Sequence, residues 1–323
     1  MKIAKLVAKT VAVVASAGLV CSVLGSANAA ELTGTMKKIK ETGVITLGVR
    51  DTSIPFSYLD DKQSYQGYSI DICMKIVSSV RKQLGLSDLR VVMNPVTSAT
   101  RIPLMANGTI DLECGSTTNN MERQKQVAFA PTTFVSGTRL LAKKSANIQT
   151  LADLKGKTVV STSGTSNLKQ IVTLNAEQNL GMTILPAKDH GEAFLMVETG
   201  RAVAFAMDDI LLAGLAATSK APHDYTISKA AISVEPYGIM LRRDDVQFKK
   251  AVDVAVGDVF KSGDINAIYK KWFMQPIPPK GVNLNWPMAD NLLAIIAHPT
   301  DSGEPSAYAV VPDAQKAILS KKK

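Results

Sequence analysis

Strand-like and helix-like segments alternate along this sequence in two successive runs. The first run has apolar, β-branched stretches at 44–49, 89–96 and 110–114, separated by stretches of helical periodicity at 69–84 and 98–107. Strands and helices that alternate in this way are typical of α/β layers, because neighbouring parallel strands need a crossover that is usually a helix. The pattern therefore predicts an α/β layer whose strands are largely parallel.

The same order of segments begins again in the second half of the chain. Predicted strands lie at 158–161, 182–186 and 202–207, and predicted helices lie at 165–178 and 189–199. The glycines that follow several of these helices are the usual stop signals. A second α/β unit of similar build is therefore expected.

Two extended segments without helical periodicity flank the second unit, one at 133–142 and the other at 231–241. Amphipathic helices are predicted after them, at 245–260 and 264–273. Two such crossovers indicate that the chain leaves the first unit, builds the second and then returns. We expect two α/β lobes, the first of them discontinuous, joined by a hinge that can close on a ligand.

The N-terminus has the features of a secretory signal. Three lysines lie within the first nine residues, an apolar stretch covers 11–24, and the small residues SANAA follow at 26–30. A basic start, a short apolar region and an A-x-A site predict cleavage after Ala29 or Ala30. Because the apolar stretch is too short for a typical membrane span, the mature chain is expected to be soluble and periplasmic.

The formal charge indicates the kind of ligand only weakly. Removal of Lys2, Lys5 and Lys9 with the signal lowers the net charge of the chain from +9 to +6. A moderate basic excess suits an anionic ligand. Lysines and arginines are interspersed with acids along the chain instead of being clustered as nucleic-acid binders have them, so no nucleic-acid partner is predicted.

Two cysteines, Cys73 and Cys114, remain after removal of the signal. In an oxidising compartment they could form a disulfide. Two buried free thiols are an equally good interpretation of the sequence.

Polar side chains follow the predicted strands at the ends where open α/β sheets bind ligands. Arginines, hydroxyls and helix N-termini suit carboxylates, and one acid suits an ammonium group. Taken singly, each residue has an ordinary explanation as a solvated arginine or a helix cap; Ser98, Thr165 and Asp189 are predicted caps. The candidate ligand-binding residues are Arg50, Ser98, Arg101, Ser116, Thr118, Arg123, Thr165, Ser166, His190 and Asp208.

Several longer motifs carry a resemblance that extends over most of the chain up to Pro279. The motifs are IPFSY at 54–58, TSATRIPL at 97–104, ECGSTTNN at 113–120, ERQKQ at 122–126, AKDHG at 187–191, MDD at 207–209 and KWF at 271–273. With these motifs the sequence resembles the periplasmic solute-binding proteins of polar amino-acid ABC transporters, and most closely their glutamate- and aspartate-binding members.

The resemblance implies a type II periplasmic-binding-protein fold, in which each lobe is a mixed sheet flanked by helices and two strands form the hinge. The expected division is a signal peptide at 1–29, lobe 1 at 30–136 and 238–279, lobe 2 at 137–237 with hinge segments at 133–142 and 231–241, and an extension at 280–323. No function is assigned to the extension.

The resemblance also implies roles for the residues that hold the backbone groups of an amino acid. Arg123 corresponds to the family arginine that pairs with the ligand α-carboxylate. Asp208 corresponds to the acid that takes the α-ammonium, helped by Ser116. Further donors to the ligand α-carboxylate, from hydroxyls and backbone N–H groups, are expected from Ser116, Thr118, Thr165 and Ser166.

Selection of the ligand side chain is expected from Arg50, Ser98, Arg101 and His190. In relatives that bind basic amino acids, the place of Arg50 carries an acid and the place of Ser53 carries an aromatic ring. Here the charge is reversed and the ring is replaced by a serine. The resemblance therefore implies a site for a second carboxylate, and an amide ligand would leave the guanidinium groups poorly paired.

The predicted function is capture of L-glutamate or L-aspartate by hinge closure and delivery to an inner-membrane ABC permease, by a monomer without cofactor or metal. A periplasmic enzyme of the cyclic-acid dehydratase type is the alternative, because the same fold hosts such enzymes and His190 or Glu113 could serve as general acid or base. The binding protein is preferred because Asp208 and the arginines account for an amino acid without a spare group. The preference between glutamate and aspartate is left open, as is the identity of the permease.

Overall fold

The computed structural model describes residues 31–308. The predicted signal peptide and the end of the predicted C-terminal extension, residues 309–323, lie outside the described residues. Within 31–308, no helix combines the length and the apolarity needed to cross a membrane.

The first part of the chain forms one run of helices and strands. Its elements are α1 (Gly34–Thr42), β1 (Val44–Val49), β2 (Thr52–Ser53), β3 (Ser57–Leu59), β4 (Tyr65–Gln66), α2 (Tyr68–Gln83), β5 (Arg90–Pro95), α3 (Arg101–Ala106), β6 (Leu112–Glu113) and β7 (Val127–Phe129). The strands and helices predicted for the first run are all present, with ends that differ by a few residues.

The second part contains the elements of the second predicted run. They are β8 (Phe134–Ser136), β9 (Thr138–Lys143), β10 (Thr158–Thr162), α4 (Ser166–Glu177), β11 (Thr183–Ala187), α5 (His190–Glu198), β12 (Ala204–Asp208), α6 (Asp209–Thr218), β13 (Tyr225–Ile227), β14 (Glu235–Tyr237) and β15 (Met240–Arg242). Three helices follow: α7 (Val246–Lys261), α8 (Asp264–Phe273) and α9 (Asp290–Ala297).

Within residues 31–308, the longer strands form two five-stranded mixed sheets. In the first sheet the order is β5-β1-β6-β15-β7, with β1 parallel to β5 and β6 and with β15 antiparallel to β6 and β7. In the second sheet the order is β11-β10-β12-β9-β13, with β10 parallel to β11 and β12 and with β9 antiparallel to β12 and β13. The chain thus leaves the first sheet after β7, builds the second and returns to the first with β15.

Two short antiparallel strands, β8 and β14, connect the two sheets. An aromatic cluster holds this pair against the rest of the molecule: the ring centroids of Phe56 and Phe134 lie 4.9 Å apart, and those of Phe134 and Phe273 lie 5.1 Å apart. Tyr237 of β14 packs edge-on against Phe56 at 5.1 Å. The connecting strands are therefore anchored by packing from α8 and from the loop before β3.

Cys73 of α2 and Cys114, which follows β6, form a disulfide with an S–S distance of 2.12 Å. Of the two interpretations that the sequence left open, the structure has the paired one. The bond ties α2 to the end of β6, where the chain enters the segment 115–118.

The predicted cap of α3 is wrong. Ser98 does not cap this helix, which begins at Arg101 and has Thr100 as its N-terminal neighbour, without a side-chain cap. The Thr97 and Thr100 hydroxyls instead bond each other's backbone N–H groups, which closes the turn before the helix. Ser98 takes no part in these two hydrogen bonds. The predicted caps Thr165 and Asp189 are confirmed, since each accepts a hydrogen bond from the backbone N–H three residues on.

Candidate functional site

The ends of strands from both sheets meet at one small cavity. Strands β6, β10 and β12 and the N-termini of α3, α4 and α5 supply its surroundings. Eight of the ten predicted site residues line it: Ser98, Arg101, Ser116, Thr118, Thr165, Ser166, His190 and Asp208. The carboxyl ends of parallel strands meet at one edge of a sheet, so residues far apart in the sequence come together here.

Arg50 lies behind this lining and joins two of its members. Its Nη2 donates to Ser98 Oγ at 2.8 Å and lies 3.5 Å from His190 Nε2. A guanidinium can only donate, so Nε2 is the accepting nitrogen and Nδ1 carries the hydrogen that faces Thr162 Oγ1 at 2.8 Å. Ser98 thus serves as an acceptor for Arg50 and not as a helix cap.

Burial and neighbouring charge disfavour further positive charge at this cluster. Burial, with smaller contributions from Arg50 and Arg101, lowers the pKa of His190 well below its usual value. Burial, followed by repulsion from Arg101, lowers the pKa of Arg50 to about 10. At neutral pH the imidazole is therefore uncharged while the guanidinium keeps its charge.

Arg101 is fixed by a chain of hydrogen bonds behind the cavity. Its Nη1 donates to Thr117 Oγ1 at 2.6 Å and more weakly to the Ser116 carbonyl at 3.4 Å. The Thr117 hydroxyl in turn donates to Glu113 Oε2 at 2.6 Å. All of these side chains except Ser116 have 2% or less of their surface exposed.

Asp208, at the end of β12, lines the same cavity as Arg101 and His190. Its Oδ1 accepts from Asn167 Nδ2 at 2.7 Å, and its Oδ2 accepts from the Tyr237 hydroxyl. Burial and then the nearby charge of Glu235 raise the pKa of Asp208 to about 7. A cation placed beside this carboxyl would favour its ionised form.

Arg123 does not line the cavity, but it connects segments on both sides of it. Its Nη1 donates to the Thr118 carbonyl at 2.8 Å, and its Nη2 donates to the Gly164 carbonyl at 3.2 Å. Burial and then repulsion from Arg101 lower its pKa to about 9. The guanidinium therefore lies at the boundary between the loop after β6 and the loop before α4.

Several residues at this site were not predicted from the sequence. Asn167 bonds Asp208 and also donates to Thr138 Oγ1 at 2.7 Å. Glu235 accepts from Ser166 Oγ at 2.8 Å and from Ser233 Oγ at 2.5 Å. Asn167 directly follows the predicted helix start Thr165–Ser166, which is a signal that could have included it. Glu235 and Tyr237 lie in the segment 231–241, which the sequence indicated only as a hinge.

The buried charges of the site nearly balance before any ligand is considered. Three arginines and three carboxylates are buried in and behind the cavity: Arg50, Arg101, Arg123, Glu113, Asp208 and Glu235. Among residues 31–308, no group of three His, Cys, Asp or Glu side chains is placed to hold a metal ion. Chemically the arrangement suits a small zwitterion that carries an additional anionic group.

Comparison with known proteins gives a consistent result. Residues 45–275 match the family of bacterial extracellular solute-binding proteins, family 3. The chain is 57% identical over 272 residues to the L-glutamate/L-aspartate-binding protein of Pseudomonas aeruginosa, covering 84% of this chain and 90% of that protein. It is 51% identical over 267 residues to the glutamate/aspartate import solute-binding protein of Escherichia coli K12, covering 83% and 88% of the two chains.

Solved structures of the same architecture are also similar. The crystal structure of the P235GK mutant of ArgBP from T. maritima matches with a TM-score of 0.66 and 25% sequence identity, over 74% of this chain and 99% of that one. The two lobes, their mixed sheets and the paired connecting strands described above are those of the type II periplasmic-binding-protein fold.

Proposed function

We propose, on the premise that this chain belongs to the bacterial extracellular solute-binding proteins, family 3, that it is the substrate-binding component of an ABC importer for L-glutamate and L-aspartate. The observation that carries the ligand assignment is the convergence of Ser98, Arg101, His190 and Asp208 on one cavity, with Arg50 bonded to Ser98 and His190 behind it. The two relatives named for glutamate and aspartate support the same ligands.

The groups common to all amino acids are bound by one part of the site. Asp208 takes the α-ammonium, because its carboxylate is held by Asn167 and Tyr237 and faces the cavity. The α-carboxylate is held by the guanidinium of Arg123, by the hydroxyls of Ser116 and Thr118, and by the α4 start at Thr165 and Ser166. A helix N-terminus favours an anion there.

The side-chain carboxylate is bound by the other part, in which Arg50, Ser98 and Arg101 supply the donors and His190 accepts from Arg50. Arg50 Nη1 and Arg101 Nε are buried, and no acceptor within residues 31–308 bonds them. A ligand carboxylate would provide acceptors and negative charge for these donors. An amide would provide one acceptor oxygen without charge, so glutamine is expected to bind far more weakly.

An enzyme of the dehydratase type is less well supported than a binding protein. The relatives carry names of binding and import proteins, and this chain functions as a binding protein and not as an enzyme. His190, the candidate general base, lies between Arg50 and Thr162 and is engaged through both ring nitrogens.

The remaining features of the proposal concern the whole protein. The signal at 1–29 is removed on export to the periplasm, and the mature protein acts as a monomer that delivers its ligand to an inner-membrane permease and does not bind nucleic acid. Lobe 1 comprises 30–136 and 238–279, and lobe 2 comprises 137–237. The mixed sheets and the return of β15 to the first sheet support this division.

Titration calorimetry on protein stripped of ligand by unfolding and refolding tests the proposal. Glutamate, aspartate or both should bind tightly, and glutamine and arginine should bind weakly or not at all. The site variant is Arg101→Ala, which should weaken binding of glutamate and aspartate with little effect on residual binding of glutamine. Tight binding of arginine or glutamine, with no heat from either acidic amino acid, would contradict the proposed ligands.

A further inference from the structure

Glu113 is a fully buried carboxylate that the proposed ligand contacts do not use. It lies in β6 with 0% of its surface exposed. Its Oε2 accepts from the Thr117 hydroxyl, whereas no donor in the described part of the chain bonds Oε1. A buried carboxylate with one unbonded oxygen is costly to the fold, so its presence calls for a physical explanation.

Glu113 sets the orientation of the group that holds Arg101. Because an ionised carboxylate can only accept, the Thr117 hydroxyl must direct its hydrogen to Glu113. The lone pairs of Thr117 Oγ1 are then available to Arg101 Nη1, which donates to it at 2.6 Å. The relay from Arg101 through Thr117 to Glu113 thus holds the guanidinium by two residues that are not part of the cavity lining.

The carboxylate also lies close to the second arginine. A Cβ on Gly115 would come within 2.2 Å of Glu113 Oε1 and within 2.9 Å of Arg50 Cγ. The backbone of Gly115 therefore runs in contact with both side chains, and only a glycine leaves room for them. The negative charge of Glu113 favours the charged forms of Arg50 and Arg101, although burial lowers the pKa of both arginines overall.

Glu113 has the same charge as the ligand group that the two arginines are proposed to bind. In a buried site with low effective dielectric constant, like charges repel appreciably over distances well beyond contact. The attraction of Arg50 and Arg101 for an incoming carboxylate is thus partly offset by the carboxylate already behind them.

Resting on the proposed function, we propose that Glu113 is a positioning residue and internal counter-anion. It orients Arg101 through Thr117, and its charge limits the affinity for acidic ligands. A transport protein must release its ligand as well as bind it, so a charge that limits affinity without changing the shape of the site is functionally useful.

The test is calorimetry of Glu113→Gln with L-glutamate and L-glutamine. The variant keeps an oxygen that can accept from Thr117 but removes the charge. Glutamate should bind about tenfold more tightly than to the unmodified protein, the order expected of one buried charge interaction, whereas the affinity for neutral glutamine should change much less. The ligand-free variant should also unfold at lower temperature, because two buried arginines lose a counter-charge. Asp88→Asn removes an exposed carboxylate and should alter neither affinity.

Thr117→Val tests the relay separately, since it keeps the charge of Glu113 and removes the acceptor of Arg101. It should weaken binding of glutamate more than binding of glutamine. The counter-anion role is overturned if Glu113→Gln binds glutamate no more tightly than the unmodified protein does. It is also overturned if the affinities for glutamate and glutamine change by the same factor. Equal effects of Thr117→Val on both ligands would overturn the positioning role. Failure of the unmodified protein to bind glutamate or aspartate would instead overturn the proposed function.

Discussion

The proposed ammonium site at Asp208 would couple ligand binding to protonation. Its carboxyl is buried near Glu235, and desolvation together with that charge raises its pKa to about 7. An ammonium group placed against it would favour the ionised form and lower the pKa in the complex. His190 does not titrate in the same range, because its pKa lies well below the usual value.

Binding of glutamate at about pH 6 is therefore expected to release a proton, whereas binding at about pH 8.5 should release little, because Asp208 is then already ionised. Affinity should fall as the pH is lowered from 8.5 to about 5.5. The folding stability of the ligand-free protein depends on pH in the opposite direction to the affinity. A carboxyl whose pKa is raised by folding favours the folded state at pH values below its folded pKa, and this contribution is lost as the pH rises through about 7.

Calorimetry in two buffers of different ionisation enthalpy measures the proton count at each pH. Binding at about pH 6 without any proton release would contradict the assignment of the ammonium to Asp208.

At the scale of residues, the sequence predicted which polar groups converge better than which of them bond each other. The polar groups at strand ends were correctly predicted to come close together, because parallel strands of one sheet end at the same edge. Ser98 was predicted as a cap, although it bonds Arg50, which lies 48 positions away. Glu235 was not singled out from the sequence, and Glu113 was considered only as a candidate general acid or base, since their contacts depend on side chains from distant segments.

At the scale of elements, the disulfide joins the second helix to the segment that carries Ser116 and Thr118. Cys73 and Cys114 are separated by 41 positions, and both are fully buried. The bond stabilises the protein mainly because it reduces the number of conformations open to the unfolded chain, and less through contacts in the folded one.

Replacement of both cysteines by serine should lower the free energy of unfolding by about 4 kcal/mol on the chain-entropy model for a loop of this length. Urea unfolding of the ligand-free protein, compared with the double variant at the same pH, measures the difference. A matching loss should appear in the unmodified protein when a reductant is added. Equal unfolding free energies for oxidised protein and double variant would show that the bond does not constrain the chain.

The elements also show where periodicity stops being informative. Long strands and helices such as β1 and α2 were predicted because their apolar positions repeat over several turns or pleats. The strands β2, β3 and β4 have two or three residues each, which is too short for a repeat to be recognised. Their pairing depends on the turns between them and on packing of β3 and β4 against α2.

At the scale of the whole molecule, the two lobes touch through a glycine. A Cβ on Gly164, in the loop before α4, would lie 2.5 Å from the Cα of Ala99. The residue also has a φ of +76°, which L side chains rarely adopt. This loop therefore packs backbone to backbone against the turn that carries Ser98, and Arg123 bridges the same contact through the Gly164 carbonyl.

Glutamate should reduce the radius of gyration of the unmodified protein, measured by small-angle scattering, because the proposed hinge closure would bring the two lobes together. Gly164→Ala should weaken both the compaction and the affinity, since the added methyl group prevents this approach. Gly156→Ala is the matched control, because its φ is also positive but no atom lies within 4 Å of an added Cβ. Equal compaction and affinity in both variants would contradict a closure contact at Gly164.

The sequence by itself determined the order of strands and helices, the two extended connections and the polar and charged residue types at the strand ends, because these depend on local periodicity and composition. The tertiary structure decided that β15 lies between β6 and β7, that Cys73 bonds Cys114, and that Glu113 lies behind the arginines. Each of these is a contact between residues distant in sequence. Such contacts are determined by how whole elements pack, and no local pattern encodes them.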